Sequence, residues 1–205
     1  MYAPFFDRGY RNLPVEDAVR ATRPLVDGAA VSLPPARRLS VVAALRRLGL
    51  ASDADLRAAA RDTWLGHAPA PWTVDRATAY DASHTVLHLT SWGERPDALP
   101  AGTVDYLRWW LPAWLEECAQ EHDWDLLAGL LAADACLPTP ALPADGWARL
   151  AGAQGADGAV PAGDVPPTGD RREVFDRVHH PTLVTAFAAT VATSRALTAL
   201  LPGAS

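Results

Sequence analysis

Apolar residues along this chain recur at the three-to-four spacing of helices, without the sustained alternation of strands. Over residues 14–31, Val15, Ala18, Val19, Leu25 and Val26 fall roughly on one helical face. Glu16 and Asp17 stand in the first turn, where the helix dipole favours acids, and Pro24 is expected to split the helix. Residues 35–48 have prolines at the start and Gly49 just past the end, the usual asymmetry of helix termini. Ser52 is placed to cap a third helix reaching about Trp64. Thr73 is the expected cap of a fourth, which runs to about Ser91 before Gly93 and Pro96 stop it. A fifth helix covers residues 104–120, with Pro112 predicted to kink it, and Asp123 caps a sixth over residues 124–136.

Beyond a proline-rich turn at 138–143 and a short helix around 147–150, the stretch from 152 to about 170 collects Gly, Pro and Asp and reads as a long mobile loop. The last region, 171–201, reads as two helices broken at His180-Pro181, because a residue before proline disfavours the helical basin. Residues 182–185 carry a slight strand pattern. The expected fold is all-α: a single domain over 1–205, either a helical bundle or a curved array of α-hairpins resembling part of an α/α toroid.

Composition narrows the function classes. Eighteen basic residues stand against 24 acidic ones, a net charge of -6, with no basic cluster beyond arginine pairs, so binding to a phosphate backbone is not expected. Every basic residue is arginine, which removes lysine-based Schiff-base and general-base mechanisms. Cys118 and Cys136 fit no metal or redox spacing and read as small buried apolar residues. With no basic start followed by an apolar run, and no uninterrupted apolar stretch of spanning length, a cytoplasmic protein without membrane contact is expected.

The chemistry concentrates on the fourth helix. Tyr80, His84, His88 and Ser91 share one side, while Ala79, Ala82, Val86 and Leu89 form the packing stripe. A plain amphipathic helix with surface histidines explains the same pattern. His84 is the candidate base, with Tyr80 one turn before it and Asp81 three positions before it to orient and tune the ring. His84 and His88 also have the i, i+4 spacing of a metal pair, but Thr85 stands where a zinc protease helix has glutamate, and no nearby motif supplies a third ligand. Asp125, in the first turn of the sixth helix, can aim a carboxylate at a cavity or simply face solvent. His180 is favoured over His179 because Pro181 fixes its geometry. Trp109, Trp110 and Trp114 crowd one helix, either as core or as a contact for a protein partner.

The run from Tyr80 through Asp81, Ser83, His84 and His88 to Gly93, then Asp123-Trp-Asp125-Leu-Leu, then His180-Pro-Thr-Leu-Val184, resembles a family of helical actinobacterial proteins associated with natural-product gene clusters. The resemblance covers residues 80–184. It implies a biosynthetic setting and, for some helical proteins of this kind, closure of a strained ring by sulfate elimination together with a partner subunit.

Two functions are therefore expected as alternatives. The first is a cofactor-independent lyase or cyclase acting on a small molecule, with His84 as base, Tyr80 or Asp125 as proton donor or orienter, and His180 as a second acid or anion holder. The second is a non-catalytic accessory subunit that holds a biosynthetic enzyme through Trp109, Trp110 and Trp114.

Overall fold

A computed structural model describes residues 2–165 and 168–200, and it is all-α, with no strand among those residues. Where the sequence pattern is read as one domain, the chain's internal contacts divide into two compact units, Met1–Pro69 and Ala70–Ser205.

The first unit holds α1 (Ala3–Asp7), α2 (Leu13–Ala30), α3 (Pro35–Arg47), α4 (Asp53–Arg61) and the single turn α5 (Trp64–His67). Helix α3 packs on α1 and α4, and Leu39, Ala43, Leu45 and Leu56 are buried. Ser52 caps α4 in a full capping box with Asp55. Pro24 does not split α2, which runs through it. At its start Glu16, only 3% exposed, accepts hydrogen bonds from Tyr2 Oη and Arg11 Nε, both at 2.8 Å.

The second unit is a bundle around one helix. It comprises α6 (Arg76–Leu89), α7 (Ala101–Gln120), α8 (Trp124–Ala135), α9 (Ala144–Gly152) and α10 (Arg171–Leu200), and α8 packs against the other four. The sequence of α8 explains that place: leucine and alanine surround it on nearly every side, and a helix apolar all round must be covered all round. Asp123 caps it, accepting from Leu126 N at 3.1 Å. Its one buried acid, Asp134, turns inward to accept from the backbone of Ala141 and Leu142, which pins the proline-rich turn. Cys118 and Cys136 are both buried, and burial pushes their thiols up to about 12 and about 11.

Three further sequence readings are corrected in the second unit. The cap of α6 is Asp75, reciprocally bonded with Thr78, rather than Thr73. Helix α10 does not break at His180-Pro181 but continues through it for 30 residues. Proline supplies no N–H there, yet Pro181 is buried, and packing along α8 holds the two halves in one helix. Residues 182–185 are accordingly helical, not extended. In the irregular stretch after α9, Val160 is buried and bonded to Thr182, and Ala162 O receives Trp124 N and Asp125 N. That carbonyl closes the start of α8 beside Asp125. Helix α10 is also long and apolar enough, by length and composition, to cross a membrane.

Candidate active site

The continuity of α10 matters because it sets the periodicity of a cavity wall. His180, Leu183, Val184 and Phe187 occupy i, i+3, i+4 and i+7 on α10, and Tyr80, Ser83, His84 and Leu87 occupy the same offsets on α6. Between them α8 contributes Asp125 and Gly129, one turn apart, and Trp92 closes the end beyond α6. The cavity they line is about 300 Å³, at the lower end of the range for small-molecule sites. All four residues singled out in the sequence, Tyr80, His84, Asp125 and His180, line it.

The polar groups are connected. His180 Nδ1 lies 2.7 Å from Asp125 Oδ1, and His180 Nε2 lies 3.3 Å from Tyr80 Oη. A carboxylate only accepts, so Nδ1 carries the proton. In neutral His180 the Nε2 lone pair then receives the Tyr80 O–H. When His180 is protonated, Nε2–H donates to Tyr80 instead, and the phenol proton is released toward the cavity. Asp125 Oδ2 faces Arg76 Nη2 at 3.7 Å, while Arg76 Nε donates to Asp123 at 2.5 Å. The order Asp125–His180–Tyr80 reproduces the logic of an oriented imidazole between a carboxylate and a hydroxyl.

His84 stands beside this chain, its ring centroid 4.5 Å from that of Tyr80. Its nitrogens have no protein hydrogen-bond partner among the described residues, so they face whatever the cavity holds. Burial is the main force lowering its pKa below 6.5; the charge of His180 adds to that, and Asp81 and Asp125 oppose it. His84 is thus a neutral acceptor near neutral pH. Burial, then Asp125, raises the Tyr80 phenol above 10, and it stays a proton donor.

His88 contacts His84 and Trp92 ring to ring and is not among the lining residues. Among the described residues no three His, Cys, Asp or Glu side chains converge to hold a metal ion. His179 is occupied elsewhere, stacked on Phe175 with Nδ1 2.9 Å from the Phe175 carbonyl oxygen. Trp114 is 5% exposed and belongs to the core, whereas Trp109 is 79% exposed and Trp110 38%.

Of this wall, the sequence reading gave no chemical role to Leu87, Trp92, Gly129, Leu183, Val184 or Phe187, and it named Ser83 only among the polar residues of the candidate helix. Most follow from i, i+3, i+4, i+7 counting from Tyr80 and His180, had α10 been taken as one helix. Trp92 does not follow from that count. Ser91, Trp92 and Gly93 are left-handed in succession, with φ of 51°, 62° and 88°. A bulky residue there is costly, on the order of 1–3 kcal/mol. Trp92 N, bonded to Leu87 O at 2.7 Å, and Gly93 N, bonded to Thr90 Oγ1 at 3.1 Å, hold the turn. The indole meets Phe187 edge to face, centroids 5.3 Å apart. At Gly93 a Cβ would come within 3.2 Å of Cys136 Sγ and Val191, a tight contact added to a φ that favours glycine.

Fold and site together define an all-helical protein with a histidine-lined cavity between three helices. The chain belongs to the family described as "Domain of unknown function (DUF6895)", matched over residues 1–190, well beyond the segment that carried the sequence resemblance. No curated protein and no solved structure matches it.

Proposed function

We propose that this protein is a cofactor-independent enzyme that performs general acid/base chemistry on a small molecule held in the cavity, by elimination or intramolecular cyclisation. The observation that carries this reading is the Asp125–His180–Tyr80 hydrogen-bond chain ending beside His84, whose nitrogens have no protein partner among the described residues. Base and acid then stand side by side in a partly desolvated space, where positioned proton transfer contributes roughly 10²–10⁴-fold.

In an elimination, His84 takes a proton from a carbon next to the leaving group. Electrons of that C–H bond form the double bond, or attack internally to close a ring. The departing group takes the Tyr80 proton, and Tyr80 is reprotonated by Nε2–H of the His180 imidazolium, whose charge faces Asp125. The step ends with His84 protonated and His180 neutral, and solvent resets both. Sulfate, the leaving group implied by the resemblance, would meet Asp125 with no guanidinium among the lining residues and with the His180 charge already paired to Asp125, so an uncharged leaving group suits this cavity better. A natural-product setting remains part of the proposal and rests on the resemblance over residues 80–184.

The test is incubation of purified protein with a pooled small-molecule extract in deuterated water, followed by mass spectrometry. Wild type should deplete or deuterate at least one component, and His84→Ala, with unchanged circular dichroism, should not. Identical spectra for both proteins would count against catalysis at His84.

A second reading, the accessory subunit, is favoured by Trp109, whose indole is 79% exposed on α7. Co-elution of the protein with the product of a neighbouring gene, abolished by Trp109→Ala, would support it.

A further inference from the structure

The charges around the cavity say what kind of molecule it accepts, on the premise that the cavity is the substrate site. Asp125 is the one carboxylate among the described lining residues; its Oδ1 lies 2.7 Å from His180 Nδ1 and its Oδ2 3.7 Å from Arg76 Nη2. An ammonium group entering the cavity therefore competes with His180 and Arg76 for that carboxylate, and neutral His84 offers it a hydrogen bond but no opposite charge. An anion fares no better: no arginine lines the space among the described residues, the chain has no lysine, Arg76 is held by Asp123 and Asp125, and the charge of a protonated His180 is already paired with Asp125. A charge left unpaired in a partly buried site carries a desolvation cost that an uncharged group does not.

The remaining wall is hydrocarbon and aromatic. Leu87, Leu183 and Val184 form the sides, and the Trp92–Phe187 edge-to-face pair forms the end. Polar atoms gather at the opposite end, at Tyr80 and His84. A bound molecule thus meets one hydrogen-bonding pole and one apolar pole.

We propose that the site binds an uncharged, mostly hydrocarbon molecule with a single hydroxyl or carbonyl, the polar group at His84 and Tyr80 and the body against Trp92 and Phe187. Size follows from the volume: about 300 Å³ holds about ten non-hydrogen atoms if each takes roughly the share of a water molecule in the liquid. Trp92 then determines specificity at the apolar end, which gives its left-handed backbone a role.

The test compares octanol, octanoate and octylamine, probes of one chain length and three charge states, by NMR of the protein's histidine and indole nitrogens at mildly alkaline pH. Octanol should shift the His84 ring and the Trp92 indole together and bind at least tenfold more tightly than octanoate or octylamine. In Gly129→Ala, which narrows the cavity by one methyl, octanol should bind several-fold more weakly. Equal or tighter binding of either ion, no binding of octanol, or shifts confined to other residues would overturn the proposal. Binding needs no turnover, so the outcome is separable from the catalytic reading. A clear preference for octanol with no loss of turnover in His84→Ala would sink the mechanism alone, and a preference for octanoate with His84-dependent turnover would sink the ligand class alone.

Discussion

His180 and Asp125, 55 residues apart in sequence, meet at 2.7 Å, and their hydrogen bond fixes which imidazole nitrogen faces Tyr80. Asp125→Asn keeps a hydrogen-bond acceptor but removes the charge that faces the imidazolium. Turnover of the component identified in the deuterium experiment should fall on the order of 10²–10³-fold while the fold is retained. A variant as active as wild type would leave Asp125 without a part in proton transfer.

His84 gives a pH dependence whose sign follows from its lowered pKa. The unfolded chain takes up the His84 proton near 6.5, whereas the folded chain resists it to lower pH, chiefly through burial and the charge of His180, against Asp81 and Asp125. Below about 6.5 the unfolded state therefore binds more protons, and stability falls as the pH drops from there through the folded-state value. Above 6.5 this contribution is fully present. Urea unfolding midpoints across that range should fall less steeply for His84→Gln than for wild type, and parallel curves would argue against a buried, neutral His84.

Gly129 separates stability from binding. It lies inside α8, and a Cβ there would sit 3.5 Å from Ser83 Oγ, an ordinary contact. Gly129→Ala should stabilise the protein by about 0.5–1 kcal/mol, as removing an interior helical glycine does. The same methyl intrudes on the cavity. A thermal unfolding scan should thus show a higher midpoint for a variant that binds octanol less well, and a lower midpoint would show that the wall has no room.

Asp134 is a structural counterpart to Asp125 on the same helix. It is 3% exposed, and burial raises its pKa although Leu142 N and Ala141 N donate to it. Asp134→Ala leaves two amides without their acceptor and should cost about 2–3 kcal/mol by denaturant unfolding. Asp134→Asn keeps a carbonyl acceptor and should cost clearly less.

Much of this was legible in the pattern of residues. Helix spacing, the Ser52 and Asp123 caps and the all-round apolar surface of α8 are local properties, and they produced the helical fold directly. Tyr80 and His84 were legible because both lie on one face of one helix. What the pattern misjudged was His180-Pro181, where a local preference against helix is overridden by packing on α8, a long-range effect that no window of sequence contains. Leu183, Val184 and Phe187 were lost with it. Trp92 was hidden for another reason: its position depends on three successive left-handed residues, a conformation that Ser91 and Trp92 do not announce.

The proton arrangement at the two histidines is the most direct check on the site. Nitrogen-15 NMR of the histidine side chains, run from about pH 5 to about pH 9 on wild type and Asp125→Asn, reads both at once. His84 should titrate below 6.5, and neutral His180 should carry its proton on Nδ1 in wild type. His180 protonated on Nε2 at high pH, or His84 still charged at neutral pH, would contradict the acid/base assignment.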